Sequence, residues 1–256
     1  MTARSVHSLL TAAAVAAVAA AFLLAWKLLV VIGDYPAFVL PPPEMVGARL
    51  WTAWRDGVIE PHAVTTLTEV LLGFLIGSCV AVLAGYALAR SLLAERLLSP
   101  YLVAAQATPI LALAHLIALW FGTGLLSKVI ICALIVFFPI AVATMVGVRS
   151  VDAQLLEVGR VFRATPLQVL TKLEIPAALP SIFGGIRVGA TLAVIGAIIG
   201  EWAGGESGLG VLINLARGSL FDTPLLFATL VTIAAIGVGL YWLILLVERR
   251  LVGERA

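Results

Sequence analysis

Apolar residues fill long stretches of this chain, and short polar segments separate them. A helix that crosses a bilayer needs about 20 consecutive apolar residues. Stretches close to this length occur six times, and we predict one transmembrane helix in each: residues 9–32, 65–89, 101–121, 126–148, 183–200 and 225–247. The pattern predicts an all-α membrane protein with six spans. Because no boundary or repeat interrupts it, residues 1–256 are expected to form one domain.

The composition agrees with a membrane protein. Hydrophobic residues make up 62% of the chain and charged residues only 12%, whereas a soluble domain carries roughly 25% charged residues. The net charge of +2 gives no sign of nucleic-acid binding. Cys79 and Cys132 both lie in apolar stretches, which favours free buried thiols over a disulfide. The first apolar stretch, at roughly 25 residues, is longer than the 7–15 of a signal peptide, and this favours a retained span.

Lysine and arginine are unevenly distributed between the two sides of the predicted bundle. If the N-terminus is cytoplasmic, eleven of these residues fall on the cytoplasmic side and four on the outer side, with Lys27 near the end of the first span. The four are Arg49, Arg55, Lys128 and Arg217. Because cytoplasmic loops are enriched in lysine and arginine, both termini and the loop at residues 150–182 are predicted to be cytoplasmic.

The loop at residues 150–182 is polar and carries the signals of two short helices. Asp152 stands where an N-cap would, before apolar residues at helical spacing, so the first helix should run to about Arg163. The chain should then break at Ala164 and Thr165. A pair of amphipathic helices lying on the membrane surface is an alternative explanation of this pattern.

The second helix of this loop has a capping box at its start. Thr165 is the N-cap, Pro166 takes the first helical position and Gln168 stands at the third. Because the residue before a proline avoids the α conformation, the helix should end near Pro176. Two short helices with a defined break transmit a push, whereas a flexible loop would not.

Residues 157–176 resemble the EAA loop of ABC importer permeases, through which a separate ATPase moves the membrane helices. The family pattern is Glu-Ala-Ala, three residues, Gly, nine residues and Ile-x-Leu-Pro. Glu157 matches its start, and Leu173, Ile175 and Pro176 match its end at the right spacing. Two alanines and the glycine of the pattern are replaced, at Val158, Gly159 and Arg163. The capping box could supply the break that the glycine gives in the family.

Other segments resemble permeases of the nitrate, taurine, sulfonate, thiamine-precursor and riboflavin group. They are residues 38–43, 66–74, 119–124, 201–202 and 208–210. The resemblance implies an inner-membrane permease that works as a homodimer, with two ABC ATPase subunits and an extracytoplasmic substrate-binding protein. The ATPases would act through loop residues on or beside the matched pattern: Glu157, Gly159, Arg163, Ala164, Thr165, Pro166 and Pro176.

Few polar or aromatic residues are placed to line a transport pathway. The candidates are His115, Gln106, Glu69, Glu201 and Trp202. Ionisable groups inside a membrane are functional candidates, but His115 could instead be satisfied by a backbone carbonyl, and carboxylates at span edges are often solvated. Glu201 could hold the outer loop through backbone N–H groups or through Arg217. Trp202 could stack on a flat ligand or anchor the helix at the interface.

The chain has neither a nucleotide-binding motif nor a zinc-protease motif. Its lysines follow Trp26, Ser127 and Thr171 rather than glycine, and its histidines stand too far apart for HExxH. We therefore expect no enzyme, no metal and no cofactor. A secondary transporter is an alternative from another class, but such proteins usually carry paired charges inside the membrane, and the sequence suggests no such pair. A membrane scaffold without transport is a third alternative.

The substrate is predicted from two weak signals. Glu201 followed by Trp202 resembles the vitamin-precursor branch, whereas the anion branch more often has Glu-Met. Lysine and arginine are not found near the middle of any predicted span. These signals favour a flat heteroaromatic vitamin, riboflavin before a thiamine pyrimidine precursor. A permease of the same type for taurine, alkanesulfonate or nitrate is the alternative.

Overall fold

The computed structural model describes residues 3–253, with side chains from residue 10 onward except at positions 11, 12, 94, 98, 99, 102, 103, 105 and 106. Every regular element within residues 3–253 is helical, which confirms the all-α class. In chain order the α-helices are α1 (Ala3–Ile32), α2 (Pro43–Arg55), α3 (Glu60–Arg90), α4 (Leu92–Ala107), α5 (Ile110–Phe121), α6 (Leu125–Arg149), α7 (Ala153–Val161), α8 (Pro166–Val169), α9 (Ile175–Trp202), α10 (Leu209–Gly218) and α11 (Thr223–Val252). A π-helical segment, Leu170–Glu174, joins α8 to α9 and is called the π segment below.

Five helical stretches of the described chain are long and apolar enough to cross a bilayer. They are Ala13–Ile32, Glu60–Arg90, Leu125–Arg149, Pro166–Trp202 and Thr223–Val252. Each overlaps one of the predicted spans. Four of them extend beyond the predicted apolar stretch, because helical hydrogen bonding continues into the flanking polar residues.

The predicted span at residues 101–121 is not one helix. It is divided between α4 and α5, and Pro109 lies between them in an extended conformation with φ −60° and ψ 105°. Proline has no N–H to donate, and its ring pushes the preceding residue, here Thr108, out of the α conformation. With 12 residues, α5 alone is shorter than the roughly 20 residues that a crossing requires.

Two compact units make up the fold, and the first comprises Met1–Glu60 and Leu212–Val231. An ion pair joins its two stretches, because Arg49 Nε donates to Asp222 Oδ2 at 2.8 Å. Asp222 also accepts from the N–H of Leu225 at 2.9 Å, which caps the first turn of α11. The single domain predicted over residues 1–256 stays a prediction.

The second unit comprises Pro61–Val211 and Thr232–Ala256. Helices α6 and α9 are in extensive contact, and small residues bring helix backbones close together. A Cβ at Gly196 would lie 2.8 Å from Cys132 Cα, and a Cβ at Gly77 would lie 2.7 Å from Ala133 O. Such close approach is how helices associate in lipid. Cys132 is free and buried as predicted, whereas Cys79 is free but exposed.

Candidate functional site

Helices α7 and α8, residues 153–169, form the α7–α8 segment, and α7 begins with the predicted cap. Asp152 Oδ1 accepts from the N–H of Gln154 at 2.8 Å, a contact that stabilises a helix start by about 1 kcal/mol. The helix ends at Val161. Arg163 then has a φ of +53°, in the left-handed region that costs a non-glycine residue roughly 1–2 kcal/mol. The turn that the family pattern makes with glycine is therefore made here by an arginine.

Helix α8 begins with the predicted capping box. Thr165 Oγ1 accepts from the N–H of Gln168 at 3.3 Å, and Gln168 Oε1 accepts from the N–H of Thr165 at 2.9 Å. Pro166 follows the cap, where its missing N–H leaves no hydrogen bond unmade. Both short helices of the loop thus have fixed starting points, and the predicted break between them is confirmed.

The predicted end of the second helix near Pro176 is wrong. The chain continues from α8 through the π segment into α9, so that Pro166–Trp202 is one helical stretch of 37 residues. In the π segment the N–H of Ile175 donates to Leu170 O, five residues back. This wider turn leaves room for the ring of Pro176, which would clash with the carbonyl four residues earlier in a regular α-helix. Turns of this kind are rare and occur often at functional sites.

The α7–α8 segment exposes large apolar side chains beside positive charge. Val161, Phe162 and Leu167 are 79%, 81% and 68% exposed, and Arg160 and Arg163 are exposed as well. Apolar side chains grouped on a surface and bordered by polar ones mark an interaction site. The segment therefore presents a patch suited to contact a protein partner or the membrane surface.

The other loop residues predicted to contact an ATPase differ in exposure. Those with exposed side chains are Glu157, Thr165, Pro166 and Pro176. Gly159 is buried, and a Cβ there would lie 2.8 Å from Leu173 Cδ1 of the π segment. Ala164 is half-buried, and its N–H donates to Gly159 O at 2.9 Å. Gly159 and Ala164 thus shape the segment from within rather than presenting a surface.

A buried carboxylate holds the π segment, and the sequence analysis missed it. Glu174 pairs with Arg90 Nη1 of α3 at 3.0 Å and accepts from Tyr86 Oη at 3.3 Å. The Glu174 side chain is 4% exposed. The only signal in the sequence was a glutamate directly before an apolar run. The segment that exposes Phe162 is thus followed at once by a turn anchored to α3.

At one end of α3, α6 and α9, four side chains form the Glu201 cluster: Thr66, Glu69, Lys128 and Glu201. Thr66 Oγ1 donates to Glu201 Oε1 at 2.5 Å and accepts from the N–H of Leu209 at 2.8 Å. The N–H of Gly210 donates to the other oxygen of Glu201. Glu201 therefore binds backbone N–H of the segment after α9, one of the two arrangements considered from the sequence.

An ion pair completes the Glu201 cluster. Lys128 Nζ lies 2.9 Å from Glu69 Oε1, and both side chains are almost fully buried. Lys128 also donates to Ser207 O at 3.2 Å. The sequence suggested no charge pair within the predicted spans, and the structure corrects this expectation. Glu69 and Lys128 lie far apart in the chain, so no local pattern could reveal their pairing.

The remaining pathway candidates differ in their contacts. Trp202 is half-exposed, and its Nε1–H donates to Gly210 O at 2.9 Å. His115 is exposed, and its Nδ1 lies 2.7 Å from Leu111 O of its own helix. The side chain of Gln106 lies outside the described residues. Among the described residues, no three His, Cys, Asp or Glu side chains are grouped so that they could hold a metal ion.

Comparison with known proteins relates the chain to a family of membrane transport components. The family described as binding-protein-dependent transport system inner membrane component matches residues 70–253. The riboflavin transport system permease protein RibX of Chloroflexus aurantiacus is 46% identical over 89% of this chain and 84% of its own length. The putative aliphatic sulfonates transport permease protein SsuC of Bacillus subtilis is 34% identical over 90% and 83%.

The fold is similar to that of a solved transporter. In the inward-facing MetNI methionine ABC transporter, one chain superposes with a TM-score of 0.63. The match covers 77% of this chain and 96% of that one, at 20% identity. This likeness concerns the fold alone.

Proposed function

The chain belongs to the family of binding-protein-dependent transport system inner membrane components, and we propose that it imports a flat heteroaromatic vitamin, riboflavin before a thiamine pyrimidine precursor. It is an ABC transporter permease, a membrane component rather than an enzyme. The name of the relative that is 46% identical supports riboflavin. The name of the relative that is 34% identical supports the alternative, an alkanesulfonate or a similar anion.

The exposed surface of the α7–α8 segment carries the proposal of ATP-driven coupling. Phe162 and Leu167 would insert into a partner, and Arg163 would add charge at the same place. Because α8 continues into α9 as one helical stretch, a force on this segment would move α9 directly. Two ATPase subunits docked on two copies of the chain would then open and close the permease.

The arrangement in the membrane follows from the charge distribution. We place both termini and the α7–α8 segment in the cytoplasm, and the Glu201 cluster on the outer side. Helices α4 and α5 together would make the sixth crossing, with Pro109 at the break. A homodimer surrounded by lipid would receive substrate from an extracytoplasmic binding protein, while Glu69, Glu201 and Trp202 hold the outer segment that closes the pathway.

Uptake of riboflavin, followed by its own fluorescence, tests this proposal in cells that carry the permease with its ATPase and binding protein. We expect ATP-dependent accumulation that other flavins reduce and that taurine, nitrate and the thiamine pyrimidine do not. Competition by taurine or an alkanesulfonate would instead select the anion alternative. Uptake that survives ATP depletion and collapses with the proton gradient would contradict the ATPase-coupled mechanism and favour a secondary transporter.

A further inference from the structure

A large apolar cleft lies between α5, α6 and α9. Its volume is about 870 Å³. The α6 wall includes Ile135, Phe138 and Val142, and the α9 wall includes Gly184, Val188 and Leu192. Protein pockets for small molecules have volumes of roughly 300–1,000 Å³, so the cleft has room for a ring system of vitamin size.

Proline and glycine create this cleft. Pro139 interrupts the hydrogen bonding within α6, and Pro109 separates α5 from α4. On α9, a Cβ at Gly185 would lie 2.5 Å from Ala143 Cβ, so α6 and α9 touch there. A Cβ at the neighbouring Gly184 would meet nothing within 4 Å. One glycine therefore brings the two walls together, and the next leaves the floor of the cleft open.

The side chains that line the cleft indicate which kind of ligand it can bind. None of the described residues that line the cleft is charged, and the positions of α4 whose side chains are not described are uncharged in the sequence. Two hydroxyls are present: Thr108 Oγ1 donates to Ala104 O at 3.0 Å, and Ser181 Oγ donates to Ala143 O at 2.9 Å. Since their hydrogens are used, these oxygens can only accept, and they suit a ligand that donates N–H.

An anion fits this cleft poorly. A sulfonate or nitrate would lose its water shell, and none of the described lining residues is a cation that could replace that water. Moving an ion into such surroundings costs several kcal/mol. An uncharged heteroaromatic ring would instead gain from burial of its faces against side chains such as Phe138.

The cleft is also linked to the α7–α8 segment through a continuous helix. Its α9 wall belongs to the same helical stretch, Pro166–Trp202, that contains α8 and the π segment. A displacement of α8 would therefore shift Val188 and Leu192 relative to α6 and change the width of the cleft. A site whose width changes when the α7–α8 segment moves is suited to bind and release a transported molecule.

We infer that this cleft binds the transported molecule and that this molecule is an uncharged, flat heteroaromatic compound with N–H donors. The inference rests on the proposed importer function and narrows its substrate class. In this cleft the ring would lie between Gly184 and Phe138, and the hydrogen-bond donors of the molecule would face the oxygens of Thr108 and Ser181.

Substitution of Gly184 tests the inference, because a larger side chain there enters the cleft without a clash at Cβ. Gly184→Leu is compared with Gly239→Leu on α11, where a Cβ also meets nothing within 4 Å and which does not line the cleft. Each variant is reconstituted in proteoliposomes with its ATPase and binding protein. We expect Gly184→Leu to lower riboflavin uptake by about tenfold or more, whereas uptake by the Gly239→Leu variant stays at the wild-type rate.

Quenching of riboflavin fluorescence by the detergent-solubilised permease alone tests the inference about the cleft separately from the importer proposal. Saturable quenching that Gly184→Leu removes and Gly239→Leu keeps supports the cleft, even if ATP-dependent uptake of every substrate is absent and the importer proposal fails. Wild-type riboflavin uptake by Gly184→Leu overturns the cleft and leaves the importer proposal standing. If Gly184→Leu instead changes only the mass of the particle, the cleft is an interface between copies and the inference is wrong.

Discussion

The Glu201 cluster and the α7–α8 segment place polar groups in opposite ways. In the Glu201 cluster, carboxylates, an ammonium and a hydroxyl bind one another and the backbone of residues 207–210, and all four side chains are buried. In the α7–α8 segment, the polar caps hold only the backbone, while Phe162, Leu167 and Arg163 point outward. The polar groups of the first region contact groups of the same chain, whereas the second region exposes its side chains to a partner. Substitutions should therefore affect folding in the first and coupling in the second.

The largest effect is expected for Glu69→Ala, which leaves the Lys128 ammonium buried without its carboxylate. Removing one partner of a buried pair costs about 3–5 kcal/mol, so thermal denaturation in detergent should show a much lower midpoint. Replacing both residues, with Glu69→Leu and Lys128→Met together, should recover most of the loss, because neither member of the ion pair is then buried without the other.

The exposed pair of Arg55 and Asp56 is the matched control for this prediction. Their side chains are 66% and 51% exposed, and such pairs contribute about 0–1 kcal/mol. Arg55→Ala should therefore leave the midpoint nearly unchanged. Equal destabilisation by Glu69→Ala and Arg55→Ala would show that burial does not distinguish the Glu201 cluster.

The second effect is expected in coupling rather than in stability. Phe162→Ala should weaken ATPase binding by about 2–4 kcal/mol, the range of a central aromatic anchor in a protein interface. Binding of the ATPase to detergent-solubilised permease measures this directly, and thermal stability should not change. Glu157→Ala should likewise uncouple ATP hydrolysis from uptake while leaving the fold intact.

Phe38→Ala is the control for Phe162→Ala, because Phe38 is also largely exposed, at 74%, but lies outside the α7–α8 segment. It should bind the ATPase as the wild type does. Loss of ATPase binding in Phe38→Ala, or normal binding and uptake in Phe162→Ala, would contradict docking on this segment.

A third substitution tests the hydroxyl at the centre of the Glu201 cluster. Thr66→Val keeps the shape but removes the donor to Glu201 and the acceptor of the Leu209 N–H, which should cost about 1–3 kcal/mol of stability. Thr68 lies two residues on, is exposed and donates only to Val64 O, so Thr68→Val should cost much less. Similar losses in both variants would mean that the contacts of Thr66 add nothing beyond those of an ordinary helix surface.

Local signals made the caps and most spans predictable, and long-range contacts explain the failures. Asp152 and Thr165 bind groups two or three residues away, so the sequence alone revealed them. Glu69 and Lys128 meet only after α3 and α6 have packed. The apolar character of residues 101–121 concealed the effect of Pro109 on backbone geometry. The predicted helix end at Pro176 relied on the geometry of a regular α-helix, which does not apply in a π turn.

The smallest effect is expected at Arg163, where the family pattern has glycine and the chain adopts a φ of +53°. Two substitutions there distinguish the role of the backbone conformation from that of the side-chain charge. Arg163→Gly removes the left-handed strain and should stabilise the protein by roughly 1 kcal/mol, less the entropy that glycine loses on folding. Arg163→Ala removes the same guanidinium but keeps the strain, so it should not gain this stability. Both variants should lower ATP-driven uptake if the guanidinium contacts the ATPase. If Arg163→Gly and Arg163→Ala both transport normally, the guanidinium is not what the ATPase requires, and the surface that the α7–α8 segment offers is mainly apolar.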